Sequence, residues 1–180
     1  MKQASSGGQW VADSIKRLTV VRHAKSSWKH AGLSDFDRPL NGRGQRDAPL
    51  MGKRLAKRGL QPQRLVSSPA RRALTTARVI AGEIGYPIEA IVTDRRIYEA
   101  SVPDLLTVIG EQPGDCAELM LVGHNPGLTD LCNHIAPRSI ENLPTGGAFC
   151  VQFRIADWQE VEWTTGELVF FDFPKNESSP

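Results

Sequence analysis

Three short apolar runs constrain this chain more than any other feature. Leu18-Thr19-Val20-Val21, Arg64-Leu65-Val66-Ser67 and Glu118-Leu119-Met120-Leu121-Val122 each have the length and composition of a strand. Each runs straight into polar groups: Arg22-His23, Ser67-Ser68 and Gly123-His124. A helical pattern comes next, at once after the second and third runs and beyond a long loop after the first. Strand, loop and helix in repetition predict an α/β fold in three layers, a central mostly parallel sheet with helices on both faces. Ligands in such sheets collect at the carboxyl ends of the strands, where these polar groups fall.

The rest of the chain fills in that plan. Lys25 to Gly44 has no clear period, and a loop of about 20 residues in a compact domain is usually functional. Leu50, Met51, Leu55 and Ala56 repeat at helical spacing over Asp47 to Arg58, and Gly59 closes that helix. Ser68 and Pro69 read as the cap and first position of a helix reaching Ala81, with Arg72 near its positive end. Ile88 to Val92 reads as a further strand. Ser101 caps a helix to about Ile109 that Gly110 and Pro113-Gly114 break. Leu128, Leu131, Cys132 and Ile135 mark one helical face. Phe149–Ile155, Glu160–Trp163 and Glu167–Phe171 alternate apolar with polar, as half-exposed hairpin strands at or near the sheet edge would.

A chain of 180 residues is most simply one domain, here 17–175, between a flexible N-terminal tail (1–16) and a C-terminal tail (176–180). No apolar run approaches the roughly 20 residues that span a bilayer, and Met1 to Ser14 lacks the apolar core of a secretory signal. Cys116, Cys132 and Cys150 are odd in number and widely spaced, as buried thiols in a reducing cytoplasm would be. Charge is unevenly spread: residues 1–100 hold 19 Lys and Arg against 8 Asp and Glu, and residues 101–180 hold 3 against 12. The basic half forms no run and no aromatic-basic interleaving, which favours a small anionic group or an acidic protein over nucleic acid.

Singly, His124 reads as a capping or packed loop histidine and Arg72 as a surface ion pair. Together with Arg22 and His23 they form a set suited to an anion. Arginine forks hold phosphate oxygens bidentately, and a neutral imidazole beside them can attack phosphorus. Neighbouring guanidinium groups lower an imidazole pKa and so preserve its nucleophilic form. No metal-ligand spacing such as H-E-x-x-H occurs, so no metal and no other cofactor is expected. His30 and His134 read as surface or helix residues.

Arg22-His23-Ala24, then Ser67-Ser68-Pro69 with Arg72-Ala73 and Thr76-Ala77, then Gly123-His124-Asn125-Pro126 resemble the ordered motifs of the histidine phosphatase superfamily, which has the phosphoglycerate mutase-like fold. Arg22-His23-Ala24-Lys25-Ser26, Asp37-Arg38-Pro39-Leu40-Asn41 and Phe173-Pro174-Lys175 resemble its small SixA-type phosphohistidine phosphatases. The resemblance spans about residues 17–175. It implies a metal-independent phosphatase with His23 as transient phosphoryl acceptor and Arg22, Arg72 and His124 as phosphate binders. The implied substrate is phosphohistidine on a partner protein, with a small phosphate ester or mere phosphate binding as alternatives. A monomer is the default expectation.

Two positions stay open within that resemblance. Tyr98-Glu99-Ala100 looks like the site of the superfamily's proton donor, yet Glu99 also reads as a solvated turn carboxylate or a partner of Arg95 or Arg96. Ser26 is either a phosphate donor or a loop cap. Ala24, Lys25 and Lys29 depart from the wider family, where Gly, Glu and Asn are common, and lead away from mutases and sugar-phosphate enzymes. No insertion is long enough to form a cap over the site.

Overall fold

The computed structural model describes residues 14–163 and 165–176. Six strands form one sheet: β1 (Ile15–Arg22), β2 (Arg64–Ser67), β3 (Val92–Thr93), β4 (Glu118–Gly123), β5 (Ala148–Arg154) and β6 (Glu167–Asp172), in spatial order β3-β2-β4-β1-β5-β6. β1 to β4 run parallel, and β5 is antiparallel to both of its neighbours. The helices are α1 (Gly42–Lys57), α2 (Arg71–Ile84), α3 (Val102–Gly110) and α4 (Gly127–Ile135).

Alternation along the central strands sorts the core into two layers. Leu18, Val20, Leu119 and Leu121 pack with Leu105, Val108 and Ile109 of α3 and with Leu128, Leu131 and Ile135 of α4. Val21, Leu65, Met120 and Val122 point the other way, onto Met51 and Leu55 of α1 and Ala73, Ala77 and Ile80 of α2. Each fully buried aliphatic side chain contributes about 1.5–3 kcal/mol, and both faces are supplied from the same strands. This is why those strands read as continuous apolar runs.

Several boundaries differ from expectation for local reasons. β1 starts at Ile15, inside the stretch 1–16 expected to be a tail. Lys16 is buried there because its Nζ donates to the carbonyls of Gly114 (2.6 Å) and Cys116 (3.0 Å), a solution its charge concealed. The remaining tail positions, 1–13 and 177–180, lie outside the described residues. α1 begins five residues before Asp47, since Asn41 caps it by accepting from the Gly44 N–H at 2.9 Å. Gly44 itself passes so close to Lys25 that a side-chain carbon there would overlap the Lys25 carbonyl.

Ile88–Ala90 is a 3-10 turn, leaving only Val92–Thr93 to pair as β3. Glu160–Trp163 is no strand either: Asp157 and Glu160 cap a 3-10 turn over Trp158–Glu162, which buries Trp158 and Val161 three residues apart. β5 is buried rather than half exposed, being an interior strand between β1 and β6 whose Phe149, Val151 and Phe153 join one core layer and whose Ala148 joins the other. α2 starts at Arg71 with Ala70 at its cap position, so Ser68 and Pro69 form the turn before the helix instead of its first residues.

Candidate active site

The site forms where three neighbouring parallel strands stop. Arg22 pairs with Gly123, and Ser67 pairs with Val122. His23, His124 and Ser68 are therefore each the first residue past the ladder. The His23 N–H still reaches the Gly123 carbonyl (3.1 Å), and the Ser68 N–H reaches that of Val122 (2.9 Å). This register sets the two imidazole rings 5.1 Å apart. β2 then turns into α2, whose second residue is Arg72. All six expected site residues, Arg22, His23, Ser26, Arg72, Glu99 and His124, line one cavity of about 330 Å³.

Two contacts define the protonation of His23. Its Nδ1 lies 2.8 Å from the Ala24 carbonyl, which can only accept a hydrogen bond. Its Nε2 lies 3.2 Å from Arg72 Nε, which can only donate. Both demand the same neutral tautomer, with the proton on Nδ1 and a lone pair on Nε2. The Ala24 segment is itself anchored, since its N–H donates to Thr76 Oγ1 (3.0 Å) and the Thr76 hydroxyl donates to the Arg72 carbonyl (2.7 Å). The His23 imidazole is pushed down to about 3, first by burial, against the pull of the Ala24 carbonyl. His124, Arg72 and Arg22 contribute to the same lowering after burial, whereas the sequence points to the arginines first.

The other groups converge from different elements. Arg22 leaves the end of β1 and donates through Nη1 to the Leu143 carbonyl at 2.9 Å, while its Nε is buried without a partner among the described residues. Burial lowers the Arg22 guanidinium pKa from its usual value. His124 Nε2 lies 2.8 Å from Ser68 Oγ, and its Nδ1 is buried with no hydrogen-bond partner among the described residues. Burial, followed by the Arg72 charge, pushes this second imidazole down to about 3 as well. Gly127 lets α4 start against the Ala100 carbonyl, where any side chain would clash, and the Tyr98 ring meets His124 edge-on at 5.4 Å.

The two open positions also find places on the wall. Ser26 is buried, and its Oγ accepts from Arg38 Nη1 at 2.7 Å. Glu99 is exposed and holds φ at 56°, the one positive φ outside glycine among the described residues. Strained backbone of that kind concentrates at functional sites. His30 and His134 lie on the surface, away from the cavity.

A neutral ring nitrogen among buried guanidinium donors is an arrangement for phosphoryl transfer. Residues 18–106 match the histidine phosphatase superfamily, branch 1. An uncharacterised chloroplastic protein of Arabidopsis thaliana is 31% identical over 153 residues, covering 81% of this chain and 70% of its own. The chain belongs to the histidine phosphatase superfamily. A structure assigned as the phosphohistidine phosphatase SixA of Agrobacterium tumefaciens superposes on this phosphatase with a TM-score of 0.75 at 26% identity, covering 87% of this chain and 97% of its own. The mycobacterial glucosyl-3-phosphoglycerate phosphatase shares the fold at 16% identity, with a TM-score of 0.64 and coverage of 88% and 99%.

The long loop of this phosphatase brings in groups that sequence reasoning missed. Asp35 accepts from Arg72 Nη2 (2.9 Å) and Tyr98 Oη (2.8 Å) through Oδ2, and from Arg38 Nε (3.0 Å) through Oδ1. Burial pushes its carboxyl up, but the hydrogen bonds from Tyr98, Arg38 and Arg72 prevail and hold it down at about 2. Arg38 is buried, with its guanidinium 3.5 Å from the centre of the exposed Trp28 ring. The run Asp37-Arg38-Pro39-Leu40-Asn41 marked this loop, yet the carboxylate in the site is Asp35 and not Asp37, which takes the Ser34 hydroxyl. Nothing in the local pattern separates the two.

Proposed function

We propose that this phosphatase hydrolyses phosphohistidine on a partner protein, without a metal, through a transient phosphoenzyme at His23. The observation that carries the reading is the Nε2 lone pair: burial keeps the imidazole neutral, and the Ala24 carbonyl keeps the ring proton on the opposite nitrogen. In the first step Nε2 attacks phosphorus while the bond from phosphorus to the leaving imidazole nitrogen breaks. That nitrogen keeps the electron pair of the broken bond, and the ring departs as a neutral imidazole because its other nitrogen already carries a proton. Arg22, Arg72 and the second imidazole, His124, donate to the equatorial oxygens as charge redistributes onto them. Water then attacks phosphorus, the bond to Nε2 breaks, and inorganic phosphate leaves.

Glu99 lines the cavity, and its role in this reading is to protonate an alkoxide or phenolate leaving group, which needs the proton most. An imidazole leaves more readily. The open mouth, with Trp28 75% exposed at its rim, suits a phosphorylated side chain projecting from another protein. Rapid quench with labelled phosphohistidine protein should trap label on the wild-type enzyme and none on His23→Asn. In a competition assay, phosphohistidine protein should outrun phosphoserine peptide and sugar phosphates. A sugar phosphate turning over faster would refute the substrate, and label retained by His23→Asn would refute the nucleophile.

A further inference from the structure

Ser68 has no place in the chemistry so far, yet it is fully buried with its Oγ 2.8 Å from His124 Nε2. The hydroxyl already accepts from the Ala70 N–H at 3.2 Å, the bond that shapes the turn into α2. It owns one proton, and among the described residues His124 Nε2 is the acceptor in reach. If Nε2 instead carried the ring proton, Ser68 would accept twice and its own O–H would be buried without a partner, which is costly. The other assignment satisfies every group on this side of the ring: Ser68 O–H donates to Nε2, and the imidazole proton sits on Nδ1.

We infer that Ser68 is a positioning residue that holds His124 in the Nδ1–H tautomer, so that the second histidine presents a neutral donor to a phosphoryl oxygen. With Nε2 committed to Ser68, Nδ1 is the ring nitrogen left for substrate, and it is buried and unpartnered. Arg22 Nε, a donor by necessity, is buried and unpartnered as well. Both residues line the same cavity, and two buried donors without a partner among the described residues match an anion with several lone pairs. Were Nδ1 unprotonated, it would turn a lone pair toward the phosphoryl oxygens and repel them. The part of this inference that concerns catalysis rests on the proposed role of His124, whereas the tautomer stands on Ser68 alone.

The test is a long-range ¹H–¹⁵N spectrum of the full chain at neutral pH, with its four histidines assigned by substitution. His124 should show a protonated Nδ1 and an unprotonated Nε2. Protonation at Nε2 in the wild type overturns the inference, and this arm needs no variant to fold. In Ser68→Ala the Nε2–H form should gain population, kcat on an aryl phosphate should fall roughly 10- to 100-fold, and Ser68→Thr should restore both. The loss is smaller than the roughly 10²–10³ for removing a donor outright, because the wrong tautomer can revert. An unchanged tautomer in Ser68→Ala also overturns the inference. A changed tautomer with unchanged kcat keeps Ser68 as the residue that sets it and refutes His124 as a donor in the reaction.

Discussion

Asp35 places a carboxylate against the same guanidinium that is proposed to bind phosphate. Oδ2 accepts from Arg72 Nη2 at 2.9 Å, and the Asp35 main-chain carbonyl takes Nη1, so both terminal nitrogens of Arg72 are turned toward the loop. An anion that takes Nη2 has to displace that carboxylate oxygen. A hydrogen bond between charged partners contributes about 1.5–3 kcal/mol. The Asp35 side chain is 42% exposed, and screening brings the net to roughly 1–2 kcal/mol. Asp35→Ala should therefore tighten inhibition by inorganic phosphate about 5- to 30-fold. The assay is the phosphate inhibition constant measured against an aryl phosphate at constant ionic strength, for wild type, Asp35→Ala and Asp35→Asn. Asparagine keeps an acceptor but not the charge and should fall between. If phosphate instead binds more weakly in Asp35→Ala, the carboxylate holds Arg72 in its working position and competition is the wrong description.

Further expectations follow from the same geometry. With His23 and His124 both held down to about 3, from an ordinary value of 6.5, kcat/KM should show no inflection near pH 6.5 and should persist below pH 5. The unfolded chain binds protons at these two positions below about 6.5 and the folded chain only below about 3, so stability should fall as pH drops through that window, as urea midpoints would report. Arg72→Ala should lower kcat by at least the roughly 10²–10³ of one lost oxyanion donor while the circular dichroism spectrum stays native, and substantial residual turnover would remove Arg72 from the reaction. Glu99→Gln should slow an aryl phosphate far more than phosphohistidine, and equal effects on both would deny it the proton-donor role.

The sequence on its own determined the layers of this molecule and the four central groups of its site. Leu18–Val21 and Leu119–Val122 could only be strands covered on both faces, and every polar residue released at a strand end had to fall on the same edge of a parallel sheet. Arg22, His23, Arg72 and His124 were legible because strand ends and motif order are local properties of the chain. The loop groups were not. Asp35, Arg38 and Tyr98 come together through contacts between segments up to 63 positions apart, and no periodicity links them. Glu160–Trp163 looked like a strand because alternation cannot tell a pleat from a capped turn with two buried residues. Protonation belonged wholly to the tertiary structure. Which nitrogen of His23 keeps its lone pair is settled by the Ala24 carbonyl on one side and Arg72 on the other, and the depth of burial, which no residue pattern reports, keeps both imidazoles neutral.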